Sequence, residues 1–213
     1  MLLVKPGFEF LKICLEQEYL HLIERAGRVC YKSEDKMTDS SAKGFIKRIL
    51  KSGHESVIEH SLLSVKFIVD RGISHELVRH RLCAFSQEST RYCNYSGGIT
   101  FIIPPWINIE PGECNAVPEG ASIDEAIWLN HLLSSTYVYT YLLQEKGWSP
   151  QQARSVLPNS LKTELVMTAN FREWRHIFKL RTSPRAHPQM REVMIPLLAE
   201  CKKLLPTIFD DIT

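Results

Sequence analysis

"SLLSVKFIVDRGISHELVRHRL", residues 61–82, changes character halfway along. Its first part is rich in β-branched and apolar residues, which suit a pleated, half-buried surface, so it reads as a strand over Leu62–Val69. Ser74 then stands where its hydroxyl can cap a short helix running through Leu82. No GxGxxG turn joins the two, and the chain contains neither a Walker-type phosphate loop nor an HExxH pair. A nucleotide or flavin would have to be held without the common glycine-rich architecture.

Working outward, a short strand is expected around Phe8–Ile13. The spacing of Leu15, Tyr19, Leu22, Ile23 and Ala26 predicts a helix in "LEQEYLHLIERAGRVC". "MTDSSAKGFIKRILKSG" predicts a second, capped by Thr38 or Asp39 and stopped by Gly53. Downstream, "GGITFIIPPW" suggests a short strand and a break, and residues 107–121 have the composition of a loop. A long helix follows over about Ser122–Lys146, then a short one in "SPQQARSVLP", with Pro150 near its start and Pro158 beyond its end. "LKTELVMTA" reads as a strand, and helices are expected at about Phe171–Arg181 and Pro188–Leu205. Strands and helices do not alternate as βαβ units, which argues against a doubly wound parallel sheet, and no shift of composition marks a boundary. The expectation is one mixed α/β domain over residues 1–213.

A chain of 213 residues, 44% hydrophobic, can bury a sizeable core. A net charge of +2 confines any basic patch to a local one, which counts against a general nucleic-acid binder. The six cysteines (Cys14, Cys30, Cys83, Cys93, Cys114, Cys201) form no CxxC pair, and "MLLVKPGFEF" shows no basic leader before an apolar run. The expectation is a cytoplasmic protein with reduced thiols and no membrane segment.

On the expected helix, Arg79, His80 and Arg81 would lie about 100° apart and could not converge on one phosphate. They would serve different parts of a large ligand, or meet at a subunit boundary, or form a solvated basic face. "SQESTRY", residues 86–92, adds hydroxyls, Arg91 and turn amides, a combination that can hold a phosphate. Ser89 also admits a nucleophile reading, although spacing supplies no oriented base. "GHESVIEH", residues 53–60, brings His54, Glu55, Glu59 and His60 close together, yet its spacing matches no common zinc pattern. In "TANFREWRHIFKLR" the helical period aligns Asn170, Trp174, Ile177 and Arg181, with Phe178 adjacent, while Arg172 and His176 share another side. An arginine continuing an apolar stripe can be a guanidinium held in a pocket or a cation favouring the helix dipole, and periodicity leaves the two level.

Together these segments resemble the flavin-dependent thymidylate synthases. The signature of that family, RHR, seven residues and then serine, is met by Arg79–Arg81 and Ser89. "AGRVCYKS", "GHESVIEH", "TRY", "ARSVLP" (Ala153–Pro158) and "NFREWRHIFKLR" (Asn170–Arg181) extend the resemblance in order along most of the chain. It implies the thymidylate synthase-complementing fold, an α+β arrangement of mixed or antiparallel sheet flanked by helices and not Rossmann-like. It also implies a homotetramer with active sites between subunits and no metal. The implied reaction is reductive methylation of dUMP to dTMP. 5,10-Methylenetetrahydrofolate donates the methylene, tightly bound FAD reduced by NADPH donates the hydride, and tetrahydrofolate is released.

Carried over by motif position, the resemblance assigns Ser56, Arg79, His80, Arg81, Gln87, Asn170, Arg172 and His176 to the flavin. To dUMP it assigns Glu76, Arg79, Gln87, Glu88, Ser89, Thr90, Arg91, Arg154 and Arg181. Arg181 is the implied catalytic residue, gripping the uracil and favouring loss of its N3 proton. Glu76 stands where the family often has glutamine, and His176 where asparagine also occurs. Two other readings compete: a nucleic-acid-binding domain using Arg79, Arg81 and Arg91, and a metal-dependent hydrolase using His54, His60 and His80.

Overall fold

Alternating burial along two nine-residue strands confirms the expected strand positions. In the computed structural model, which describes residues 1–212, the chain begins with β1 (Leu2–Val4), β2 (Gly7–Phe10), α1 (Glu16–Val29) and α2 (Ser41–Lys51). A 3-10 turn over Glu55–His60 leads into β3 (Leu62–Asp70), α3 (Arg71–Leu77), β4 (Ala84–Gln87), β5 (Thr100–Ile102) and β6 (Gly112–Glu113). Then come α4 (Ile123–Gln144), α5 (Pro150–Ala153) with a 3-10 turn after it, β7 (Lys162–Asn170), α6 (Phe171–Arg181), α7 (Pro188–Leu204) and α8 (Pro206–Phe209). One sheet has the order β5-β1-β6, and the other β2-β3-β7-β4. β1 runs parallel to β5 and antiparallel to β6, so the class is mixed α/β and not a doubly wound parallel sheet.

The chain divides into two compact units, one of Met1–Gly7, Phe67–Arg79 and Ser86–Leu165, the other of Phe8–Lys66, His80–Phe85 and the chain from Val166 onward. In the first, Leu3, Phe101, Ile103, Leu129, Leu132 and Tyr139 are buried in a common core. Its helix α4 starts as expected, because Ser122 and Glu125 cap each other's amides reciprocally. The second unit is centred on α6, where the Trp174 and Phe178 rings stack at 5.4 Å and Phe209 meets Phe178 edge-on. The Trp174 indole donates to the Leu63 carbonyl at 3.0 Å, so this large buried ring also satisfies its polar atom.

Two helix starts differ from expectation. α2 begins after Ser40, which makes no side-chain cap, and the Ser41 hydroxyl accepts from the Thr38 amide instead. The more consequential difference is α3. Asp70, at the end of β3, accepts from the Ile73 amide at 2.7 Å, so the helix starts at Arg71 and ends at Leu77. Ser74 is inside it and donates back to the Arg71 carbonyl at 2.9 Å. Arg79–Arg81 therefore lie in turns beyond the helix, and the 100° splay expected of them does not apply.

Arg175 ties α6 to its surroundings. Only 3% exposed, its guanidinium is bidentate to Asp211 at 2.6 Å, reaches Glu55 at 3.3 Å and donates to the Ile208 carbonyl. The guanidinium first of all, by hydrogen bonding, holds the Asp211 carboxyl below the usual range. Asp211→Asn removes the charge on one side of this pair, and thermal unfolding should show a loss of about 1–3 kcal/mol. An unchanged melting curve would remove Arg175 from the role given to it here.

Candidate functional site

The junction of β7 and α6 builds one group of candidate residues. Asn170 closes the strand and caps the helix, its Oδ1 accepting from the Glu173 amide at 2.8 Å. Burial of Trp174, Ile177 and Phe178 turns Arg172 and His176 outward together, as the helical period predicts. A cleft of about 690 Å³ opens there, lined by Asn170, Arg172, Glu173, His176 and Lys179 of this junction, with Glu55 and Leu82. Arg172 is already engaged, donating to Glu59 at 2.6 Å with Glu55 at 3.9 Å. Ser56 and Arg81 are exposed, Ser56 within the Glu55–His60 turn and Arg81 in the turn after His80.

Arg181, in the last turn of α6, is half-buried and donates from Nε to His80 Nε2 at 3.0 Å. His80 is 6% exposed, and its Nδ1 lies 3.8 Å from Glu173 Oε1. Burial, then the positive charges of Arg181 and His176, push the His80 pKa down to about 4, so the ring is neutral at physiological pH. The Glu173 carboxylate does not reverse that balance. Nearby, burial and the Glu173 charge push the Cys83 thiol up to about 12, which leaves it a poor nucleophile.

Glu76, Arg79, Gln87–Arg91 and Arg154 all belong to the other compact unit and form a second group of candidate residues there. Gln87 Nε2 donates to the Ser74 hydroxyl at 2.9 Å and to Thr163 at 3.3 Å, which fixes its amide. The Glu88 carboxylate accepts from Tyr95 at 2.6 Å, the Glu164 amide at 3.1 Å and Lys162 at 3.3 Å, and is thus committed to the framework. Ser89 Oγ accepts from the Arg91 amide at 3.3 Å and, among the described residues, has no base against it. Thr90 is buried and accepts from Arg154 at 3.3 Å, bringing two sequence-predicted residues 64 positions apart into contact. Arg79 and Arg91 are exposed and make no ion pair among the described residues, and Glu76 lies in the last turn of α3.

Sequence reasoning missed Glu173 as a partner of His80, and Leu82 and Lys179 as cleft residues. Glu55 and Glu59, beside the histidines of residues 53–60, serve the arginines instead: Glu55 pairs with Arg172 and Arg175, and Glu59 with Arg172. Among the described residues no three His, Cys, Asp or Glu side chains are grouped so as to hold a metal ion, and no helix is long and apolar enough to cross a membrane.

A family model described as thymidylate synthase complementing protein matches residues 15–207. A flavin-dependent thymidylate synthase of Corynebacterium efficiens is 34% identical over 197 residues, covering 89% of this chain and 78% of its own. That of Mycobacterium avium is 33% identical with the same coverage. Among solved structures, the UMP/dUMP methylase PolB from Streptomyces cacaoi, bound with 5-Br dUMP, superposes with a TM-score of 0.75 at 24% identity, over 99% of this chain and 96% of its own. Thymidylate synthase X from Helicobacter pylori, with FAD and dUMP, gives 0.72 at 21% identity, over 97% and 98%. These two likenesses bear on the fold.

His80 makes folding sensitive to pH. Its pKa falls from 6.5 unfolded to about 4 folded, so the unfolded state binds more protons between those values. The stability it contributes is present above pH 6.5 and declines as pH drops towards about 4. Denaturant unfolding across that window should show the decline, and His80→Gln should flatten it. An identical slope in the variant would contradict the assignment.

Proposed function

The chain belongs to the thymidylate synthase complementing protein family, which includes the flavin-dependent thymidylate synthases it aligns with, and from that premise we propose that it converts dUMP to dTMP. The methylene comes from 5,10-methylenetetrahydrofolate, NADPH is the reductant, and tetrahydrofolate is the second product. When bound, reduced FAD supplies the hydride that completes the methyl group. The observation that carries the reading is Arg181: a permanently charged guanidinium anchored to a buried, neutral histidine.

The residues present suit a flavin. The cleft along α6 offers His176 and Lys179 as donors for phosphate or ring oxygens, and Leu82 as an apolar wall. Arg81, exposed and outside any ion pair among the described residues, adds a charge for the pyrophosphate. Asn170 spends its Oδ1 on the helix cap and keeps its NH2 to donate, whereas Arg172 must exchange Glu59 for a ligand anion. Ser56 completes this set.

For dUMP, the Ser89–Arg91 turn, Arg79 and Arg154 supply amides, a hydroxyl and guanidinium groups for the phosphate. Gln87, with its amide already oriented, meets the base or sugar; Glu76 lines the same ligand, and Glu88 holds the turn in shape. Arg181 grips the uracil edge and stabilises the anion left by loss of the N3 proton, which raises electron density at C5. No enzyme nucleophile is then needed at C6, in keeping with a Ser89 that has no base against it among the described residues. The protein works as a homotetramer with sites completed between subunits. Ile123, Ile127 and Tyr137, exposed on α4, are apolar side chains suited to such burial. It acts in the cytoplasm, where its free cysteines stay reduced.

Purified protein reconstituted with FAD should oxidise NADPH faster when dUMP is present and should form dTMP with the folate donor. Protein that cannot take up FAD would overturn the proposal. Arg181→Ala should keep flavin and lose dTMP formation by about a hundredfold or more. Ser89→Ala should weaken dUMP binding by about tenfold and leave the chemistry at saturation. An inactive Ser89→Ala with unchanged dUMP affinity would restore the nucleophile reading.

A further inference from the structure

We infer that Glu173 is a positioning residue for Arg181, acting through the tautomer of the buried His80 that lies against both. The inference rests on the proposed role of Arg181 at the uracil. Arg181 Nε always carries a hydrogen, so its 3.0 Å bond to His80 Nε2 requires a lone pair on that nitrogen. The single proton of a neutral ring must then sit on Nδ1, the atom 3.8 Å from Glu173 Oε1. That distance is beyond a direct hydrogen bond, so the carboxylate acts by its charge. It favours the N–H dipole pointing towards it and disfavours a lone pair there.

The opposite tautomer would be penalised twice. Nε2–H would face Arg181 Nε–H, two donors without an acceptor, and the Nδ1 lone pair would face an anion at a nearly water-free position. Protonating both nitrogens also loses the Arg181 bond, and burial opposes it. Groups against the ring include Glu173, His176 and Arg181 of α6 and, on its own turn, Cys83, whose amide donates to the His80 carbonyl at 3.3 Å. Glu173 is the anion of this set, and its charge can select the tautomer. A bond at Nε fixes the guanidinium plane and with it the direction in which the Nη donors point. His80 is accordingly more than a flavin contact: it sets the orientation of the catalytic arginine.

Nitrogen-15 NMR of histidine-labelled, FAD-loaded protein tests this without turnover. His80 should appear neutral with its proton on Nδ1, and a ring protonated at Nε2, or at both nitrogens, at neutral pH would overturn the inference. In Glu173→Gln the Nδ1–H population should fall. kcat should drop about tenfold in flavin-saturated protein, while dUMP affinity stays within about twofold, as expected when a group is misaligned rather than lost. If Glu173 works through His80, the Glu173→Gln, His80→Gln double variant should lose no more than His80→Gln alone. Additive losses, or a Glu173→Gln protein with unchanged kcat and spectrum, would overturn it. A wild-type spectrum without the Nδ1–H tautomer overturns the inference even if a variant fails to fold. Protein that binds FAD yet forms no dTMP would refute the proposed reaction, and the spectrum would still judge the tautomer.

Discussion

A buried guanidinium is costly unless its donors find acceptors, and Arg175 engages every one of its nitrogens in a way that fixes α6. Its partners come from three places: Asp211 near the C-terminus, the Ile208 carbonyl of α8, and Glu55 in the turn before β3. Apolar packing of Trp174, Ile177 and Phe178 decides that one side of the helix faces inward. Packing alone tolerates small rotations, whereas a fork bonded to a carboxylate does not. The rotation of α6 in turn determines where Asn170, Arg172, His176 and Arg181 project.

From that constraint the chemistry follows in steps. Burying His80 keeps it neutral, a neutral ring can accept from Arg181, and an anchored arginine can meet a planar anion in one orientation. In the other compact unit a different device gives the same rigidity. Glu88 collects a phenol, an ammonium and a backbone amide, and the turn that follows it presents Ser89–Arg91. In each unit a carboxylate or guanidinium consumed internally holds in place neighbours that remain exposed, such as Arg81, Arg91 and His176.

How much of this was legible in the sequence depended on whether the signal was local. β3 and β7 were readable because alternation is a property of neighbouring residues, and α4 because Ser122 and Glu125 are three apart. α3 was misread because Asp70 and Ser74 are both good caps, and only the end of β3 decides that the aspartate acts first. That four-residue shift also ends the helix before Arg79, so Arg79–Arg81 do not have helical spacing. The outward side of α6 was visible in the period, but the partner of Arg181 was not, since His80 lies 101 residues away. Glu173 carried no mark beyond being an acid in a first helical turn. The ligand classes came from ordered motifs, and no physical rule applied to residues alone would have supplied dUMP or a folate.

In the proposed reaction the flavin, and not the folate, supplies the reducing equivalents for the methyl group. The most direct measurement is a single turnover without oxygen. Protein whose FAD has been reduced by NADPH is freed of excess nucleotide and mixed with dUMP and 5,10-methylenetetrahydrofolate while flavin absorbance and products are followed. The account predicts that dTMP, oxidised flavin and tetrahydrofolate appear in equal amounts. Formation of dTMP with dihydrofolate, while the flavin stays reduced, would contradict it.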